Sequence, residues 1–454
     1  MNMATVELVL CEPGQTSAEA FVTRFLPSLI GDLGHVDSSP SSPSFRGGQS
    51  YADKALAALD LHNYRRDRNY VHPERRRAAS RLSPYIRHGL LTLPRVWQDV
   101  IGPSEQVKRF RLELLWQEYA RHWYARLGRS SRQPLRSLPL PPSPREQRPS
   151  DGWDQSMGCV EMLTDELSEE GWLVGQSRLW LASQWAVRQG LDWRRGEDHF
   201  FAHLLDGSRA ANRLGWQAAV GLSSGRPYNF SRWQVEARSP GLCATCERNS
   251  DCPIDRWPNR AAPIPVDQPN PLLFNDPDPS RTAGPEVIDY RPDRWADGRQ
   301  ALDLDAVWLT AESMGDDDPA LRENPDLPVM FVFDRPLLQK LQLSCKRLVF
   351  MVETLAELAT KRELHVFLGS PAEALGQYRV ATTFAPVPGW RRHAAAVDPV
   401  AVHPWPWLYR PSDGDISGFP RWFEHICGVP VDDQATETVL AAIPMKAKMS
   451  YVGS

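Results

Sequence analysis

Between Gly175 and Gln217 the chain holds three short clusters of arginine, tryptophan, acid and amide side chains, and their order constrains the fold more than any other feature. The first contains Gly175, Arg178 and Trp180. The second is Asp192-Trp193-Arg194-Arg195-Gly196-Glu197. The third, Leu205-Asp206-Gly207-Ser208-Arg209-Ala210-Ala211-Asn212, runs into Gly215-Trp216-Gln217. Arg178 and Asp206 can pair and shape a pocket, because a buried charge persists only with a partner. Asn212 can offer a neutral amide to a ligand edge, and Trp193 and Trp216 are oxidisable indoles. Packed helices with surface ion pairs use the same residue types, so one Asp-Gly or one Trp carries little weight. The ordered set carries more.

At 454 residues the chain is too long for a single core, and two domains are expected. The net charge of −4 argues against a generally basic nucleic-acid coat but leaves room for a local basic cleft, for which Tyr64-Arg65-Arg66-Asp67-Arg68 and Arg75-Arg76-Arg77 are candidates. No apolar run is long enough to cross a bilayer, and the N-terminal residues lack a basic-then-apolar leader, so a cytoplasmic protein without membrane contact is expected. Seven cysteines do not form a disulfide framework in a chain of this size. Three of them, Cys243, Cys246 and Cys252, have the spacing C-x2-C-x5-C, which implies a metal, either zinc or iron–sulfur.

Helical patterns dominate from Ser50 to about Gly221, with a proline-rich break around Pro134 to Pro149. Residues 253–304 are rich in Pro, Asp and Asn and form a linker or wrapping loop. Beyond them, apolar runs at Ala306–Thr310, Val329–Asp334, Leu364–Gly369, Tyr378–Phe384 and Val400–His403 alternate with helical segments, chiefly Lys346 to Arg362. That alternation predicts a mostly parallel, doubly wound sheet. The expected domains are therefore an all-α unit over 1–252 and an α/β unit over 305–454, an α+β two-domain chain.

Together with Phe45-Arg46-Gly47-Gly48, Tyr64 to Asn69 and Ser80-Arg81-Leu82-Ser83-Pro84-Tyr85, the three clusters resemble the flavin-binding core of the DNA photolyase/cryptochrome family. The resemblance implies FAD held by Tyr64, Ser80, Leu82, Ser83, Arg178, Asp206, Ser208 and Asn212, with the Ser-x-Leu-Ser loop on the pyrophosphate. Ser208 stands where the family often has a second acid, so adenosine contacts are weaker or made differently. Asn212 matches the amide of repair enzymes, where some sensory members place Asp or Cys. Trp216 and Trp193 match the inner and middle members of an electron-transfer chain whose outer indole has no evident counterpart. The segments Val307-Trp308-Leu309, Asp318-Pro319-Ala320-Leu321 and Val329 to Asp334 resemble the family's first strands, but they follow the flavin core instead of preceding it. A circular permutation is implied, which is physically allowed where native termini lie close together. The α/β unit would also be the place for an antenna chromophore.

In one bacterial branch of the family a cysteine ahead of the Gly-Trp helix joins three later ones around a [4Fe–4S] cluster, and Cys159, ahead of Gly171-Trp172, occupies that position. The implied ligands are Cys159, Cys243, Cys246 and Cys252, with zinc as the alternative. Glu113 and Trp116 are similar to the family's Glu-x-x-Trp, where the acid meets the lesion and the indole stacks on it. The lesion-touching Asn is replaced by Gly175, and the second indole of Trp-Gln-Trp by Ala218. The function implied is light-driven repair of pyrimidine dimers in DNA by electron transfer from reduced FAD, carried out by a monomer. The alternatives are a cryptochrome-type photoreceptor with a signalling partner, and a light-independent flavoprotein whose cluster only staples the fold.

Overall fold

The structure is a computed structural model and describes residues 5–10, 17–29, 39–138, 152–256, 263–291 and 303–428. Most of the proline-rich break and the last residues of the chain lie outside them. Helices dominate the first half: α1 (Ala18–Phe25), α2 (Ser104–Leu127), α3 (Gly158–Glu170), α4 (Gly175–Ala182), α5 (Trp193–His203) and α6 (Arg209–Ala219). Two later helices matter for the site, α7 (Cys345–Ala359) and α8 (Phe419–Cys427). Local chemistry sets several boundaries. The Asp192 carboxylate accepts the Arg194 N–H and starts α5, and Gly171, with φ +65°, ends α3 in the left-handed turn that a glycine adopts without strain.

The strands are β1 (Val6–Leu8), β2 (Asp289–Tyr290), β3 (Ala306–Leu309), β4 (Val329–Asp334), β5 (Leu364–Gly369), β6 (Val380–Thr383) and β7 (Ala401–His403), in one seven-stranded sheet of order β1-β5-β4-β3-β6-β7-β2. The five central strands are parallel, as their continuous apolar runs predict, and the two edges are antiparallel. Alternate side chains feed two layers. Val307, Leu309, Phe331 and Phe333 meet Leu348, Val352 and Leu355 of α7, while Trp308 and Met330 face Trp390 and Val397. The chain leaves β3 toward β4 and β5, then returns to the other side of β3 for β6, which leaves a crevice at the carboxyl ends of β3 and β6.

Two segments fall outside the expected partition. Val6–Leu8, placed by composition with the helical residues, pairs with β5, and α1 packs on α7. Conversely α8, which follows the last strand, packs on α2, with Phe419, Trp422 and Phe423 joining Tyr119 and Trp123 in the core. Edge strands of two or three residues are too short to show an alternation. The helical half and the sheet are also locked together by charge. Arg87 makes a two-pronged pair with Glu312 (2.8 and 2.9 Å), and both Arg87 and the buried Arg347 donate to the carbonyl of Gly207. These contacts fix the loop that carries Asp206.

The α2–α8 seam contains a buried acid. Glu118 is 0% exposed; one oxygen accepts the Tyr409 N–H at 2.9 Å and the other has no partner, so burial pushes its pKa up to about 7. A carboxyl raised from 4.5 when unfolded adds stability that is complete below pH 4.5 and is lost as pH rises toward 7. Glu118→Gln should therefore gain on the native protein between pH 5 and pH 8, by up to about 3 kcal/mol. Neighbouring His122, held neutral by burial with its pKa lowered to about 3, contributes the opposite slope in both proteins and cancels in the difference. Denaturant unfolding at both pH values measures it, and a pH-independent difference would refute the assignment.

Candidate functional site

One cavity of about 1840 Å³ opens between α2, α4, α6 and the carboxyl ends of β3 and β4. Tyr64, Ser80, Ser83, Arg178, Asp206, Ser208 and Asn212 line it, with Glu113, Trp116 and Trp216. Two expected site residues do not. Leu82 is fully buried in the helical core, where its carbonyl accepts the Ile86 N–H to start the turn of helix Ser83–Arg87, and Trp193 is buried behind the wall.

Ser80 and Ser83 are presented by a backbone turn at Arg81, whose φ of +57° lies in the left-handed region that a non-glycine residue adopts only when its surroundings impose it. The Arg81 guanidinium lies over the rings of both Phe45 and Trp172, which offsets that strain. The Trp172 indole N–H donates to Ser83 Oγ at 3.0 Å. Opposite, Arg178 donates to Asp206 Oδ2 at 2.7 Å and to the Leu173 carbonyl, so Arg178 is held at both ends. Asp206 Oδ1, Asn212 Nδ2 and Trp216 Nε1 are buried and have no protein partner. Buried polar atoms are nearly always satisfied, so three orphans on one cavity fit a polar ligand such as FAD.

The electron-transfer candidates share a common support. Glu197, fully buried, accepts from Arg209 at 2.7 Å and ties α5 to α6. The Trp216 indole lies directly on Gly196, where an added Cβ would come within 2.1 Å of its ring. Trp193 and Gly196 are nearly one helical turn apart, which brings Trp193 to the same side of α5. Trp216 also meets Phe200 edge-on (5.2 Å), Phe200 meets Trp153 (5.8 Å), and Trp153 meets Trp185 (4.8 Å). Trp153 was not singled out in the sequence because it borders the proline-rich break and belongs to no periodic pattern.

Glu113 is paired with Arg68 (3.3 Å) and with Arg109, both through Oε1. Burial, reinforced by this carboxylate, pushes the nearby Tyr64 hydroxyl above its usual range. Trp116 is 41% exposed. The places where the family has an Asn and a second indole are open: Gly175 and Ala218 both line the cavity, and a Cβ on Gly175 would meet nothing within 4 Å.

The four cysteines Cys159, Cys243, Cys246 and Cys252 line a separate small cavity with Arg232 and Arg248, and all four are free thiols. The Gly158 N–H donates to Cys246 Sγ at 3.4 Å. Burial and the three other sulfurs push the Cys159 thiol up to about 12, so Cys159 is held in its thiol form unless a cation compensates. Among the described residues no set of three or more His, Cys, Asp or Glu is placed to hold a metal ion. The described helices include none long and apolar enough to cross a membrane.

Residues 110–234 match the family model for the FAD binding domain of DNA photolyase. The chain is 28% identical over 183 residues to the deoxyribodipyrimidine photo-lyase of Synechococcus sp., covering 37% of this chain and 36% of that one. It is 32% identical over 176 residues to the enzyme of that name from Thermus thermophilus, covering 37% and 41%. A cryptochrome DASH from Idiomarina loihiensis is 25% identical over 246 residues, half of each chain (50% and 52%). Among solved structures, an archaeal photolyase from Sulfolobus tokodaii aligns at 22% identity and a TM-score of 0.37, covering 50% of this chain and 54% of that one. The chain thus spans about two fifths of the length of the two photo-lyases it matches.

Proposed function

We propose that this chain, related through its FAD-binding segment to the photolyase/cryptochrome family, is a blue-light-driven flavoprotein that repairs UV-induced pyrimidine dimers in DNA. The observation that carries the reading is the shared cavity: Asp206, Asn212 and Trp216, each with a buried polar atom that has no protein partner, line the same space as Glu113 and Trp116. FAD, when bound there, supplies the light-excited electron donor. Ser80, Ser83 and the N-terminus of α6 at Ser208 would hold its phosphates, and the Arg178–Asp206 pair and Asn212 its polar edges. Glu113 would polarise the dimer, and Trp116 would stack on the flipped-out bases. Arg68 and Arg109, beside Glu113, suit backbone phosphates. Trp216, Trp193 and then Trp153 would pass electrons inward.

The four cysteines suit a [4Fe–4S] cluster better than zinc. Arg232 and Arg248 beside them suit an anionic cluster. The part of the cavity at Asp334 and Lys340, beside the His393–Asp334 pair (2.8 Å), is the place for an antenna chromophore. The helical flavin part (1–252, less β1 and α1, which join the sheet), the wrapping segment (253–304) and the α/β part (305–454, less α8, which joins the helices) would form the family's fold in permuted order, in a cytoplasmic monomer acting on DNA. A second reading, a photoreceptor without repair activity, is favoured by the open wall at Ala218 and Gly175.

Illumination of the reduced, FAD-reconstituted protein with oligonucleotides carrying either a cyclobutane dimer or a (6-4) product separates the two. Light-dependent restoration of either is expected. No product from either, together with equal affinity for damaged and intact duplex, would leave the photoreceptor.

A further inference from the structure

Trp116 is the stacking residue of the reading above, yet a half-exposed indole on a helix surface is free to turn about two side-chain bonds. Here it is not free. The Phe419 ring lies parallel to it, 4.0 Å between centroids and 9° between planes, and Tyr119 meets it edge-on. Phe419 is itself only 4% exposed and touches Tyr119, Trp422 and Phe423, so its plane is set by the core between α2 and α8. With one face of Trp116 covered and one edge blocked, its exposed surface is the opposite face, and Trp116 lines the cavity. The indole on the other side of the pocket is absent, since Ala218 stands there. The flipped-out dimer would therefore find the Trp116 wall but not an indole opposite it, and the orientation of Trp116 decides the fit.

Resting on the proposed repair function, we propose that Phe419 is a positioning residue: it holds the Trp116 indole in the plane on which the dimer stacks, so that α8 forms part of the substrate-reading machinery. The physical basis is pre-organisation. A side chain ordered before binding loses no rotational freedom on binding, and an unpinned one weakens affinity by roughly threefold to tenfold. Aromatic stacking also has directional preference that an aliphatic neighbour cannot reproduce.

The test measures affinity for a duplex carrying one cyclobutane thymine dimer and for the same duplex undamaged, using the whole flavin-loaded chain. Phe419→Leu keeps an apolar side chain but removes the plane, and should weaken binding to damaged DNA about threefold to tenfold with intact DNA unchanged. Phe419→Tyr keeps the plane and should restore the preference, which a purely structural role for bulk would not require. Should the leucine variant fail to hold flavin, Phe419→Met supplies the same comparison with an unbranched chain. Trp116→Ala is the control. If it leaves the preference for damaged DNA intact, Trp116 is not the stacking wall and this inference falls, while the repair reading stands or falls by the light-dependent assay. If it removes the preference and Phe419→Leu does not, or if tyrosine fails to restore it, only the role of Phe419 is lost.

Discussion

Trp216→Phe is expected to bring blue-light photoreduction of the reconstituted protein close to background while FAD remains bound. Trp216 lines the cavity four residues after Asn212 on α6, it is 2% exposed, and its ring N–H has no protein partner. Phenylalanine keeps most of the packing against Gly196 and Phe200 but is far harder to oxidise, so the variant separates electron supply from structure. Gly196→Ala tests the same contact from the opposite side. Helix propensity alone favours alanine by about 1 kcal/mol, but the added methyl would lie 2.1 Å from the Trp216 ring, and overpacking costs about 1–3 kcal/mol. The clash should win, giving a less stable protein with slowed photoreduction. Absorbance of the bound flavin under illumination with an external reductant reads both variants, and undiminished photoreduction in Trp216→Phe would remove that residue from the pathway.

Loss of Cys246 should have the second large effect. Cys246 closes the short helix Leu242–Thr245 and accepts the Gly158 N–H, so it joins the loop to the start of α3, while Cys159, Cys243 and Cys252 sit in or against the core around Trp216. Anaerobically prepared native chain should contain about four iron atoms and show broad absorption under the flavin bands, and Cys246→Ala should lose the iron and most of its solubility. Metal analysis and visible spectra decide. One zinc per chain without iron would establish the alternative, and a soluble, metal-free native chain would discard both.

How much of this was legible in the sequence follows from how local each interaction is. Asn212 and Trp216 lie four residues apart on α6, a spacing that already puts both on one face, so their sharing one wall of the cavity can be read from the sequence, whereas Arg178 on α4 and Asp206 ahead of α6 are marked by their order and residue types. The same holds for the parallel strands, buried on both faces and therefore written as unbroken apolar runs such as Val329 to Asp334. The three clustered cysteines are close in sequence, and a short loop keeps them close in space. Composition and period thus determined the helical core, the α/β sheet and several of the polar and indole side chains that line the cavity.

What the sequence left open depends on contacts between distant segments. Leu82 has the same place in its motif as Ser80 and Ser83, but the left-handed turn at Arg81 sends it into the core instead of the cavity. Val6–Leu8 and Asp289–Tyr290 become strands only because a sheet edge offers unpaired backbone groups to them. Trp153 enters the aromatic series through Phe200, and Phe419 reaches Trp116 from beyond the last strand; neither has a local pattern to announce it. The raised pKa of Glu118 depends on how completely the distant segment at Leu408 and Tyr409 covers it. Periodicity specifies which face of an element is buried, whereas the identity of the residue that covers it, and so the fine orientation of an indole or the charge of an acid, arises only when remote parts of the chain pack together.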